Sequence, residues 1–157
     1  MTHIGPIEKS DIDQVVRLFE EDLASLNIEH DKTSLRQVVE SVLESGSSRS
    51  VFWGIRADEK GALDGVLFAN RFWSIKHAGP ALWLEQLYVR PEARRLGLGR
   101  ELVNALLDWA DDNGIQGIDL ESYRLNAPAS VLYRTLGFRR LGRERFTLEL
   151  WDEEDME

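Results

Sequence analysis

Leu84 to Val103 reads LEQLYVRPEARRLGLGRELV, and this stretch decides the fold. From Leu82 to Val89 the chain is rich in Leu, Trp, Tyr and Val, with one polar pair, Glu85-Gln86. That composition predicts a mostly buried strand. Pro91 stops strand pairing because it has no N–H to give. Arg94-Arg95-Leu96-Gly97-Leu98-Gly99 follows as a loop, and from Arg100 the apolar positions take helical spacing. A strand, a glycine loop and a helix in that order make a place for an anion. The first N–H groups of a helix have no partner inside it, and the helix dipole adds partial positive charge there. Gly97 and Gly99 lack the Cβ atoms that would hold a phosphate away from the backbone. Arg94, Arg95 and Arg100 add full charges of the kind that pair well with phosphate. The residues themselves therefore predict a diphosphate seat over this loop.

Upstream, Ile4 to Ile7 predicts a short first strand. Ser10 reads as a helix N-cap, and Ile12, Val15, Val16, Phe19 and Leu23 keep helical spacing to about Ser25. Asp31 to Thr33 offers a second cap, and Leu35, Val38, Val39, Val42 and Leu43 predict a helix that ends at Gly46. Val51 to Ala57 and Leu63 to Ile75 read as strands joined by the turn Asp58–Gly61. With the strand at Leu82 to Val89 they make three consecutive antiparallel strands. Downstream, Leu102, Leu106, Trp109 and Ala110 mark the buried face of the long helix, and Asn113-Gly114 ends it. Ile115 to Tyr123 predicts a strand. A short helix starts near Pro128 and stops at Gly137. Phe138 to Leu141 and Arg145 to Trp151 predict a closing hairpin. The whole order is β-α-α-β-β-β-α-β-α-β-β, an α/β chain with a mixed sheet.

Two segments also carry a resemblance. Arg94-x-x-Gly97-x-Gly99 resembles the acetyl-CoA signature of the GNAT superfamily of N-acetyltransferases, Gln/Arg-x-x-Gly-x-Gly/Ala, and Leu87-Tyr88-Val89-Arg90-Pro91 is similar to the strand end before it. Asn126-Ala-Pro-Ala129-Ser-Val-Leu132-Tyr133-Arg-Thr-Leu136-Gly137-Phe138 resembles that family's Asn-x-x-Ala-x-x-Leu/Phe-Tyr-x-x-Leu-Gly-Phe segment. The resemblance covers Leu82 to Phe138. It departs at Arg95, where the family commonly has Gly, and at Pro128.

The resemblance implies a GNAT-type fold in one N-acetyltransferase domain over residues 1–157, with acetyl-CoA as co-substrate and no metal. The pantetheine arm would lie between the signature strand and the strand after the long helix, against Leu87, Tyr88 and Val89. The diphosphate would rest on Arg94, Arg95, Leu96, Gly97, Leu98, Gly99 and Arg100. Asn126, Ala129 and Tyr133 would complete the cofactor contacts. Glu85 takes a place where relatives put a general base or a substrate-positioning acid, and Tyr133 matches a tyrosine that protonates the leaving thiolate. Each has a plainer alternative: a paired surface carboxylate for Glu85, a phenol packed under Phe138 for Tyr133, a helix cap for Asn126. The implied reaction is direct acetyl transfer to the primary amine of a small cationic acceptor. A protein lysine or N-terminus is the alternative acceptor, and a non-catalytic acyl-CoA sensor is the alternative class. Relatives also suggest a homodimer.

Bulk properties narrow the field. The 157 residues suffice for one core, and a net charge of −9 disfavours nucleic acid and anionic membrane as partners. Much of that charge sits in the expected acidic tail, Asp152 to Glu157. No cysteine is present, which removes disulfides and thiolate ligands and fits a cytoplasmic setting. No apolar run reaches the roughly 20 residues of a membrane span. His3, His30 and His77 have no metal-ligand spacing. Gly97-x-Gly99 lacks the third glycine of a dinucleotide fingerprint, because Leu102 stands there, and no Gly-Lys-Ser/Thr follows as in a P-loop. Trp53, Trp73, Trp83 and Tyr123 are candidates to wall an acceptor pocket, with ordinary packing as the plainer role.

Overall fold

A computed structural model describes residues 1–123 and 126–151. The expected acidic tail at 152–157 lies outside the described residues. The chain divides into two compact units, Met1–Glu121 and Ser122–Glu157. The first contains β1 (His3–Pro6), α1 (Ile12–Ser25), α2 (Lys32–Ser45), β2 (Ser50–Arg56), β3 (Gly65–Ser74), β4 (Gly79–Val89), α3 (Leu98–Asp112) and β5 (Gly117–Leu120). The second contains α4 (Ala127–Thr135).

The sheet runs β1-β2-β3-β4-β5 in space as in sequence. The first four strands are antiparallel neighbours and β5 lies parallel to β4. A parallel neighbour needs a crossover, and α3 is that crossover. The expected mixed sheet and its three consecutive antiparallel strands are present.

Alternation along the strands sends side chains to two apolar layers. Val66, Phe68 and Tyr88 pack with Val15, Val16, Leu18 and Phe19 of α1. The opposite parity carries Leu67, Ala69 and Leu82, which are fully buried, as are Leu102, Val103 and Leu106 of α3. Period two on the strands and period 3.6 on the helices thus meet on both sheet faces.

One irregularity matters for function. Leu67 pairs with Leu87 and Phe68 with Gln86, but Ala69 pairs with Leu84, so Glu85 is an extra residue in β4. This β-bulge keeps Leu84 and Leu87 on the same face although they are three apart. A regular strand would send one of them to the other side. A bulge also bends its strand and increases the local twist.

Several boundaries differ from expectation. Ser10 does not cap α1. It sits in a 3-10 turn, Lys9–Asp11, and Asp11 precedes the helix. The Asp11 carboxylate accepts the Glu8 N–H at 2.9 Å and pairs with Arg56, a partner 45 residues away that local spacing cannot reveal. Asp31 does cap α2, accepting from Thr33 and Ser34, and Gly46 ends it at φ +76°. The long helix begins at Leu98, so Gly99 lies in its first turn. The strand after it is Gly117–Leu120, shorter than the expected Ile115 to Tyr123.

The closing hairpin is a correction: neither Phe138 to Leu141 nor Arg145 to Trp151 forms a strand. Phe146, Leu148 and Leu150 alternate as a strand should, yet they are 85%, 83% and 93% exposed. Alternation specifies a strand only where a sheet accepts it, and an isolated two-stranded hairpin is marginal in water.

Candidate functional site

The site is built around the C-terminal half of β4. Its pairing with β5 covers Ala81 to Leu84 and stops there, opposite Leu120. β4 itself continues to Val89. The break falls at the Glu85 bulge, where a strand turns away from its neighbour.

Hydrogen bonding tells which groups face this open edge. Arg90 donates its N–H to Asp64 O at 2.9 Å, on the β3 side. Antiparallel alternation then turns Tyr88 toward β3, and Leu87 and Val89 the other way. Among the described residues, no strand pairs with that edge from Glu85 to Val89. It offers the N–H and C=O of Leu87 and the N–H of Val89. The Val89 carbonyl accepts from Arg94 Nε at 3.0 Å.

The chain then turns through Pro91–Ala93 into α3. Gly97 is the residue before the helix, with φ +77° and no side chain to cap it. The first intrahelical bond at this end is Glu101 N–H to Gly97 O, 3.0 Å. The N–H groups of Leu98, Gly99 and Arg100 therefore point out of the helix start without an intrahelical acceptor. A Cβ at Gly97 would meet no atom within 4 Å, so here the backbone angle requires glycine, not crowding.

Arg95 explains the departure noted in the sequence. Its φ is +67°, a left-handed conformation that costs a side-chain-bearing residue about 1–2 kcal/mol. Glycine adopts that angle freely. Arg95→Gly should therefore stabilise the fold by about 0.5 kcal/mol, strain relief exceeding the added freedom of the unfolded chain. Arg95→Ala, which keeps the strain, should give no gain. Urea unfolding of the two variants beside the wild type measures this.

Glu85 is exposed and makes no hydrogen bond or ion pair among the described residues. Its neighbours on β4 reach α1 instead. Gln86 Nε2 donates to Asp22 Oδ2 at 3.1 Å, and the Tyr88 hydroxyl donates to Glu21 Oε2 at 3.3 Å. Burial pushes the Asp22 carboxyl up to about 6, with the Arg94 charge opposing the shift. Burial also raises the Tyr88 phenol, and the Glu21 charge adds to it. Sequence reasoning missed Asp22 and Gln86, because nothing local to either residue shows that they meet across 64 positions.

In the second unit, Asn126 Oδ1 accepts Ala129 N–H at 3.3 Å, so Asn126 is the cap of α4. Tyr133 is half-buried and packs edge-on against Phe138, ring centroids 5.8 Å apart. Gly137 has φ +98°, and Phe138 N–H returns to Tyr133 O at 3.0 Å, which closes the helix.

The tryptophans divide. Trp53 packs edge-on against Trp109 at 6.4 Å. Trp73 is 81% exposed and pairs with Pro80 beside the β3–β4 turn, at the end of β4 away from the open edge. His77 Nε2 lies 3.2 Å from Asp119, and His30 is near Glu20. Among the described residues no three metal-ligating side chains gather, and no helix is long and apolar enough to cross a membrane.

The central strand is thus half-paired and leads into a helix start with no side-chain cap. The acetyltransferase (GNAT) family model matches residues 13–138, and the chain belongs to that family. It is 30% identical to human N-acetyltransferase 8 over 114 residues, 73% of this chain but 48% of that protein. It is 29% identical to thialysine N-epsilon-acetyltransferase of Caenorhabditis elegans over 112 residues, 70% of this chain and 68% of that protein. The aligned region thus spans about half the human relative. A Clostridium acetobutylicum protein described as a predicted acetyltransferase and solved with acetyl-CoA superposes over 96% of this chain and 97% of its own. Its TM-score is 0.75 at 19% identity, a likeness of fold.

Proposed function

We propose that the protein transfers an acetyl group from acetyl-CoA directly to the primary amine of a small cationic acceptor. The observation that carries this reading is the open edge of β4 beyond the last β5 pair, ending beside the uncapped start of α3. An extended pantetheine can add to such an edge as a strand would. A diphosphate can take the N–H groups of Leu96 to Arg100, with Arg95 and Arg100 as counter-charges. Membership of the family and the name of the nematode relative, which acts on an amine, support the same reaction class.

The chemistry has two proton problems. A free alkylamine has a pKa near 10.4, so at pH 7 roughly 3.4 units separate it from its nucleophilic form, about 4.6 kcal/mol. Glu85, exposed and unpaired beside the open edge, takes the amine proton directly or through water. The nitrogen then bonds to the thioester carbon. The Leu87 N–H, on the open edge, donates to the oxyanion that forms. Collapse breaks the carbon–sulfur bond, Tyr133 gives its proton to the departing sulfur, and the second proton of the nitrogen passes through water to the Tyr133 phenolate, which leaves a neutral amide. The Tyr133 role rests on the motif around it, and the Asn126 amide retains donors for pantetheine while its oxygen caps α4.

Tyr133→Phe is expected to lower turnover at least tenfold while acetyl-CoA affinity stays within twofold of wild type, as single-turnover kinetics and calorimetry would show. Unchanged turnover would remove Tyr133 from the reaction. The function itself is tested by incubating the protein and acetyl-CoA with small amines and with peptides, read by mass spectrometry. A gain of one acetyl on small amines supports the proposal. A gain only on peptides reassigns the acceptor to protein, and cofactor binding with no gain on any amine makes the chain a sensor.

A further inference from the structure

Two residues of β4, Glu85 and Gln86, lie between Leu84 and Leu87, and one residue of β3, Phe68, stands opposite them. Leu84 opposes Ala69 and Leu87 opposes Leu67, so β3 fixes the pairing on either side of the bulge. Those pairs hold whichever residue between them is the extra one. Phe68 belongs to the apolar layer under α1. The residue that pairs with Phe68 turns its side chain to α1, and the other becomes the bulge. Glutamate and glutamine have the same size and shape, so charge and hydrogen bonding must choose between them.

The C-terminal half of α1 supplies both. Gln86 Nε2 donates to Asp22 Oδ2 at 3.1 Å, and two residues on the Tyr88 hydroxyl donates to Glu21 Oε2 at 3.3 Å. Two carboxylates of α1 thus face β4, and each meets a side chain that carries a donor. A glutamate in the place of Gln86 would set a second carboxylate at hydrogen-bond distance from Asp22, and two carboxylates that close cannot both stay ionised. The Arg94 charge offsets part of this, yet burial still pushes the Asp22 carboxyl up to about 6, so it is ionised at pH 8 with little water to screen it. We propose that Asp22 is a positioning residue: it selects the register of the β4 bulge by accepting Gln86 and refusing Glu85, and so turns Glu85 away from α1. That Glu85 then works on an amine rests on the acetyl-transfer reading above; the choice of register does not.

The chain has no cysteine, so a single introduced thiol reports which way position 85 points. Glu85→Cys supplies it, and its reaction with an aromatic disulfide reagent is followed by absorbance at pH 8. Alone, the thiol should react quickly, because position 85 is exposed. With Gln86→Glu added, Asp22 repels the new carboxylate, the thiol takes the α1 side, and the rate should fall at least tenfold. With Asp22→Asn added to both, an amide can donate to that carboxylate, and the rate should return to within threefold of Glu85→Cys alone. A smaller fall, or one that Asp22→Asn leaves in place, overturns the proposal. If the variant with Glu85→Cys and Gln86→Glu does not fold, as circular dichroism would show, the variant with all three changes decides. Folding with a fast thiol supports selection by charge, and a slow thiol or failure to fold overturns it.

Activity gives a separate readout where Glu85 is kept. In Gln86→Glu neither carboxylate can take the α1 side without meeting Asp22, so kcat/KM for the amine should fall at least tenfold at pH 8. Adding Asp22→Asn should restore it to within threefold of wild type, a rescue that loss of packing alone would not produce. Should the wild type acetylate no amine, the acetyl-transfer reading falls, and the thiol rates decide the register by themselves.

Discussion

Glu85→Gln is expected to lower kcat/KM for the amine at least a hundredfold at pH 7, with coenzyme A affinity unchanged. The magnitude follows from what a positioned base contributes, about 10²–10⁴-fold. Glutamine keeps the size of the side chain at an exposed bulge position, so folding should be undisturbed. The pH profile separates the two roles open to Glu85. If it removes the proton, the variant should regain activity about tenfold per unit as pH rises toward the amine pKa near 10.4, where solvent has already done the work. If it anchors a cationic acceptor, the loss should lie in KM, with kcat near wild type and no recovery at high pH. A variant with wild-type kcat and KM at pH 7 would take Glu85 out of the site.

The bulge gives this prediction its structural content, and the bulge is where sequence reasoning is weakest. Leu82, Leu84 and Leu87 cannot all face one way on a regular strand. The sequence shows the broken period only as an unexplained Glu85-Gln86 pair. The register resolves it, and pairing partners on β3 decide the register. The strand–loop–helix junction, by contrast, was readable because its causes are local. Pro91 lacks a donor, Gly97 supplies a positive φ, and the apolar positions of α3 repeat on their own. The Asp31 cap and the Gly46 stop were readable for the same reason.

What failed depended on distant partners. Ser10 fits a capping box, but Asp11 is drawn into place by Arg56. The alternation of Phe146, Leu148 and Leu150 fits a strand, but among the described residues of the second unit none forms a strand to pair with it. At Arg95 the resemblance flagged a missing glycine, and the left-handed backbone there supplies the physical reason. Arg94 was legible as a cation and not as a strand-end donor, because a side chain's direction is not written in its spacing.

The largest expected effect on stability is at Asp64, which no motif marks. It is 4% exposed, in the turn before β3. Its carboxylate accepts the Ala57 N–H at 2.7 Å and two Arg90 donors, Nε at 2.8 Å and Nη2 at 2.6 Å. Its backbone carbonyl takes the Arg90 N–H as well. One buried acid therefore fastens β2, β3 and the exit of β4. The pairing raises the Arg90 guanidinium further above its ordinary value. Asp64→Ala leaves the Ala57 N–H without an acceptor and Arg90 without its forked partner, and should cost about 3 kcal/mol. The lower end of the usual range for a broken buried pair applies because the Arg90 side chain is 38% exposed and can regain water. Arg90 immediately precedes the turn that leads to the glycine loop, so the loss should spread to the proposed cofactor seat: coenzyme A affinity should fall in native buffer, in a fraction still folded. Asp64→Asn, which keeps one acceptor oxygen, should lose about half as much. Urea unfolding followed by tryptophan fluorescence gives the stability. A loss below 1 kcal/mol in Asp64→Ala would mean that α3 and the β3–β4 ladder hold the end of β4 without this pair.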